Sequence, residues 1–108
     1  LGAAYRGGVK ETAFSGVFGA VEALKSRGAV PVVHDPLYDD DELERLGFTP
    51  YHFGEQADAA VVQADHAEYR TIGPAELPGI TAFIDGRRVS SAEQWPDVAY
   101  RVIGKATA

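Results

Sequence analysis

The stretch DAAVVQADHAEYRTIGPAELPGITAFIDGRR, residues 58–88, decides the fold. Two short apolar runs, 58–64 and 80–85, are bounded by Pro, Gly and charged residues. Runs of this length between turn signals read as buried strands. Each run leads into a polar loop: Asp65 and His66 after the first, Asp85 to Arg88 after the second. Between them, DHAEYR predicts a helical turn, with Asp65 and Glu68 spaced as a capping box.

The same grammar extends in both directions. Upstream, FSGVFGAVEALKSRG (14–28) places Phe14, Val17, Phe18, Val21 and Leu24 on one helical stripe. Gly28 stops that helix, and Lys25 and Arg27 suit the negative end of its dipole. AVPVVH (29–34) predicts a short buried strand, ended by Asp35-Pro36. DDDELERLG (39–47) predicts an acidic helix, and TPYHF (49–53) a further strand. Downstream, SSAEQW (90–95) predicts a helical turn capped by Ser90 or Ser91, and VAYRVIG (98–104) a last strand. LGAAY (1–5) reads as part of a strand. The order strand, helix, strand, helix, strand, helix, strand predicts an α/β fold: a Rossmann-like three-layer sandwich with a mostly parallel sheet. The domain is expected over 1–104, with 105–108 as a tail.

Composition narrows the function classes. The chain has 108 residues, a net charge of −6 and neither Cys nor Met. One core suffices for this length. The acidic balance argues against nucleic acid and anionic lipid as partners, and no run is long enough for a membrane span. Without Cys there is no disulfide, thiolate zinc site or cysteine nucleophile on this chain, which suits a cytoplasmic setting. Without a start Met, a piece of a longer protein is expected.

In parallel sheets ligands sit beyond the carboxyl ends of the strands. The loops there carry Arg6 to Lys10, His34 and Asp35, Asp65 and His66, and Asp85 to Arg88. In YRGGVK the glycines would let a phosphate approach backbone, and Arg6 offers a planar fork of donors; a solvated cationic turn is the alternative. Arg87 and Arg88 would sit on the same edge as Arg6 and could clamp a diphosphate, or could merely offset nearby acids. The run Gly2-Ala3-Ala4-Tyr5-Arg6-Gly7 lacks the second glycine of a dinucleotide fingerprint, although Asp35 sits where a ribose-binding acid would. His34, His52 and His66 lack metal-ligand spacing. Ser15 is not in a nucleophile elbow. The acids from Asp39 to Glu44 read as a solvated helix, and Trp95 and Tyr100 as packing or interface residues.

Taken in order, LGAAYRGGVKETAFSG, HDP, DHAEY and IDGRR resemble the C-terminal domain of the UDP-glucose/GDP-mannose dehydrogenase family. The likeness spans nearly the whole chain. It implies the UDP-sugar-binding domain of an NAD-dependent enzyme of polysaccharide biosynthesis, which oxidises a sugar C6 alcohol to a uronate. The NAD domain and the catalytic cysteine would belong to other parts of a homo-oligomeric parent, so the fragment alone is expected to be inactive. By the same likeness Tyr5 and Arg6 fill the aromatic and lysine positions that meet the sugar nucleotide. Arg87, with Arg88 beside it, fills the D-G-R arginine, and Glu11 and Ser15 fill the acid and serine of D-x-R-E-S. Ala13 replaces the arginine that faces NAD, and Phe14 the acid after it. The KETAFSG variant points to a subfamily with a different sugar, an N-acetylated hexosamine being one candidate. The rival readings are a nucleotide- or CoA-binding regulatory module, and a structural piece that binds nothing alone.

Overall fold

The computed structural model describes residues 1–13 and 15–103. Phe14 and the expected tail lie outside the described residues. The regular elements are α1 (Val17–Ser26), α2 (Asp40–Arg45), β1 (Ala59–Val62), β2 (Ala82–Asp85) and β3 (Ala99–Val102). Short 3-10 turns, Ala67–Arg70 and Ala92–Gln94, precede β2 and β3. The strands pair in parallel in the order β1-β2-β3, with Val62 opposite Asp85 and Asp85 opposite Val102.

Backbone hydrogen bonds carry the sheet further. Leu1 N donates to Val61 O, and Gln63 N donates to Leu1 O. On the other edge Gly2 N donates to His34 O. Val33 in turn forms a parallel bridge with Pro50. The spatial order is therefore 49–51, 31–34, 1–3, β1, β2, β3. Numbered along the chain this is 3-2-1-4-5-6, the order of a Rossmann-like sheet.

Three local expectations are corrected. The 29–34 segment is not a buried strand. Pro31 lacks an N–H, Val30 and Val32 are 89% and 41% exposed, and only Val33 is buried. TPYHF contributes only the bridge at Pro50. Asp65 does not cap the turn after β1, because its carboxylate accepts the distant Gly7 N–H instead. Capping boxes form at Asp39 with Glu42 and at Ser91 with Gln94, where no tertiary donor competes.

Two apolar clusters fill the interior. One lies around β1 and β2, with Tyr51, Tyr69 and Trp95. The other joins α1 and α2 through Val17, Val21, Val33, Leu43 and Phe48. In the first, the fully buried Phe83 stacks on Trp95 at 4.3 Å and lies nearly parallel to Tyr100 at 5.9 Å. Trp95 and Tyr100 are thus packing residues. Phe83→Ala would remove the ring shared by both stacks. It is expected to cost about 3–5 kcal/mol, read as a lower midpoint in urea unfolding.

Candidate functional site

The sheet order reverses between residues 1–3 and β1. The loops leaving these two neighbours run to opposite sides, which opens a crevice at the carboxyl edge. Residues 5–8 form one wall and 63–66 the other. α1 starts behind them. Ser15, itself buried, donates its hydroxyl to Ala4 O and accepts the Val17 N–H. α1 therefore starts later than the expected position near Ala13.

A buried carboxylate fixes the floor. Asp35 is 4% exposed. Its Oδ2 accepts Ala3 N at 2.8 Å, Ala4 N at 3.0 Å and His66 Nε2 at 2.8 Å, and its Oδ1 accepts Leu37 N at 2.8 Å. His66 Nδ1 in turn accepts Gly8 N at 3.0 Å. That last bond needs a lone pair on Nδ1, so the imidazole proton sits on Nε2 and is donated to Asp35. Asp35 is accordingly a structural acid; its oxygens are committed to the fold and not to a ribose.

The two walls are also bolted to each other. Asp65 Oδ1 accepts Gly7 N at 2.6 Å. This N–H, with help from the nearby Arg87 guanidinium, holds the Asp65 carboxyl below the usual range against the effect of burial. A Cβ on Gly7 would lie 2.2 Å from Asp65 O, so only glycine admits this approach.

Arg87 lies across the mouth. Its Nη1 is 3.3 Å from both Tyr5 O and Gln63 O, and its Nη2 is 3.7 Å from Asp65 Oδ1. The turn that aims it is built on Asp85, which is fully buried. Asp85 accepts Arg87 N, Ser90 N and the Ser90 hydroxyl. Burial alone would raise this carboxyl; the Ser90 hydroxyl and the backbone N–H groups outweigh it and keep the group low.

The structure thus brings Tyr5 and Arg87 together, with Arg6 exposed beside them. Tyr5 presents a ring that is 51% exposed. Arg88 goes elsewhere: its backbone is left-handed (φ 57°), and its Nε lies 3.5 Å from Ile103 O at the exit of β3. Lys10 also leaves the crevice, pairing with Glu42 and lying over the Tyr38 ring. Glu11 accepts the Ala13 N–H.

The histidines divide between inside and outside. His34 stacks on Phe53 at 4.0 Å, and its Nδ1 lies 2.9 Å from the Tyr69 hydroxyl, which donates to His34 O. Burial pushes His34 down to about 4. His52 is exposed between Asp40 and Glu55, whose hydrogen bonds raise it. Among the described residues no group of three or more His, Cys, Asp or Glu side chains could hold a metal ion.

A dinucleotide does not fit this loop. The Gly7 and Gly8 N–H groups that would meet a pyrophosphate are already bonded to Asp65 and His66. An anion in the crevice would have to be held by side chains at its rim.

Residues 1–92 match the family described as UDP-glucose/GDP-mannose dehydrogenase family, UDP binding domain. Searches of curated proteins and of solved structures return no match. With most of its length matched, the chain belongs to that family.

His66→Phe would leave the Gly8 N–H unpaired and strip a donor from buried Asp35. It is expected to destabilise by about 3 kcal/mol or more. Adding Asp35→Asn should cost less than the sum of the two single changes, which a double-mutant unfolding cycle would read. A pH dependence follows from His34. Its folded value of about 4 lies below the ordinary 6.5, so the unfolded chain binds the proton better. The His34 contribution is full above pH 6.5 and is lost as pH falls toward 4. His34→Gln should flatten the fall of Tm across that window.

Proposed function

We propose that this domain holds the nucleotide of a UDP-sugar for an NAD-dependent nucleotide-sugar 6-dehydrogenase. The observation that carries the reading is Arg87, braced on Tyr5 O and Gln63 O across the mouth of the crevice, in a domain of this family. A braced guanidinium loses little freedom on meeting an oxyanion, and its planar fork suits a diphosphate or a uracil carbonyl. Arg6 adds a second cation at the rim, and Tyr5 an exposed ring for the base or ribose. Arg88, at the exit of β3, joins only a ligand that reaches that far.

The work of this chain is positional. Tight hold on the nucleotide would place the sugar C6 alcohol for chemistry performed outside these residues. NAD belongs, on this reading, to the remaining domains of a homo-oligomeric parent. NAD is the acceptor of the hydrides there, and the catalytic cysteine also lies outside this cysteine-free chain. A uronate is the expected product, with an N-acetylated hexosamine among the candidate sugars. A cytoplasmic setting belongs to the same proposal. Among the described residues no helix is long and apolar enough to cross a membrane.

Calorimetric titration with UDP, GDP, NAD and CoA at low salt tests the reading. UDP is expected to bind best, and the isolated chain to turn over no NAD. Arg87→Gln should weaken UDP binding by about tenfold or more while unfolding at a similar temperature, since the Asp85 turn uses the Arg87 backbone and not its side chain. Unchanged UDP affinity in the folded variant would remove Arg87 from the site. Preference for CoA would favour a regulatory module.

A further inference from the structure

Away from the crevice, between α1 and the sheet, lies an apolar cavity of about 600 Å³. Val21 and Leu24 of α1, Val32, Ala59, Val61 and Leu77 are among its walls. Its two long sides are backbone edges. One is the 31–34 segment and the other is β1. Residues 1–2 enter between these edges but run alongside only their upper parts, near His34 and Gln63.

The hydrogen-bond pattern shows what the lower part lacks. Asp58 O and Val62 O face β2, where they accept Thr81 N and Gly86 N. Their neighbours Ala59 and Val61 therefore present their backbone groups on the opposite edge. Val61 O is taken there by Leu1 N. Among the described residues, Val61 N and Ala59 O have no partner. Across the cavity His34 O is taken by Gly2 N. His34 N and Val32 O have none. Two unpaired parallel edges facing one another across an apolar gap are the two sides of a missing strand.

We propose that this cavity is a strand-acceptor slot, filled by an extended polypeptide segment that continues directly from the Leu1 nitrogen. The register is dictated. The residue directly ahead of Leu1 would accept His34 N and donate to Val32 O. The one ahead of that would accept Val61 N and donate to Ala59 O. Side chains would project alternately toward α1 and toward Leu77 and Tyr51. Both directions are apolar, so the segment should be apolar throughout, as a strand covered on both faces is.

Two further observations favour a covalent occupant. The Leu1 amine is fully buried, and desolvation, partly offset by Asp35, pushes it down to about 6. A neutral amide nitrogen suits that position better than an ammonium ion. Residues 1–2 already pair with both neighbours in parallel, so a joined segment starts in register with no closure cost, which a free peptide would have to meet. The inference is independent of what the crevice binds.

The test is amide hydrogen exchange on the 108-residue chain and on the same chain extended at Leu1 by Val-Ala-Val-Ile. The extended chain should slow exchange at Val61 and His34 by about tenfold or more, with a rise of several degrees in Tm. An Asp-Gly-Asp-Ser extension, which has the same length but no apolar side chains, should give neither effect. Equal exchange at both amides in the apolar and polar extensions would overturn the proposal. Protection given by the free Val-Ala-Val-Ile peptide and not by the fused one would assign the slot to a partner in trans. Protection that rises with protein concentration in the unextended chain would assign it to a second copy. Either result would likewise overturn the covalent occupant.

Discussion

The contact on which the rest depends is the buried bond between His66 Nε2 and Asp35 Oδ2. Asp35 ends the 31–34 segment, His66 follows β1, and the carboxylate also accepts the N–H groups of Ala3 and Ala4 between them. Three separate lengths of chain thus meet at one pair of oxygens. A carboxylate out of water is costly unless its lone pairs are filled, and here four N–H donors fill them. The arrangement is over-determined in a useful way. Losing any one donor exposes the others to a buried, under-bonded charge, so the reversal in strand order is held at its most vulnerable place.

That economy changes what the glycines of the opening loop do. In a dinucleotide cradle such N–H groups stay open for phosphate. Here Gly7 and Gly8 give theirs to Asp65 and His66. The loop becomes a rigid rim, and recognition passes to side chains standing on it. Such a site depends on charge more than a backbone cradle does, because flexible or braced cations at a wet rim are screened by salt. The net charge of −6 makes the placement of those cations matter further. Arg6 and Arg87 are locally positive on an acidic molecule, and Asp65 sits close enough to trim that field.

The alternation of elements was legible in the sequence wherever local pattern and tertiary packing agreed. ITAFID and DAAVVQA are apolar and become β2 and β1; Asp39 with Glu42 has no rival donor and caps α2. The misreadings fall where distant partners decide. Asp65 and Glu68 have the spacing of a capping box, yet the Gly7 N–H reaches Asp65 from far along the chain. AVPVVH is apolar enough for a buried strand, but its edge faces an unfilled slot and most of it stays exposed. Asp35 carries the right residue type for a ribose acid in the right place. Only its burial shows that it serves the fold. The pairing of Tyr5 with Arg87 was anticipated as two loops on one edge; the divergence of Arg88 was not, because it follows from a left-handed backbone that neighbouring residues do not announce.

The candidate site therefore rests on carboxylates that need never touch a ligand. Asp85 gathers Ser90 and the Arg87 backbone into a turn, with Gly86 passing so close to Val62 O that a Cβ there would lie 2.6 Å from it. Asp65 pins the opposite wall through Gly7, and Asp35 pins the floor. Each acid draws backbone N–H groups inward and leaves a basic side chain facing out. An acidic domain can in this way present a cationic mouth: the negative charges are spent on the backbone, and the positive ones remain for the solvent side. The logic also explains why the positions of Arg87 and Tyr5 are coupled. The guanidinium is aimed by the β2 exit and braced by the first loop, so any change that shifts one wall by an ångström misplaces the donor that spans both.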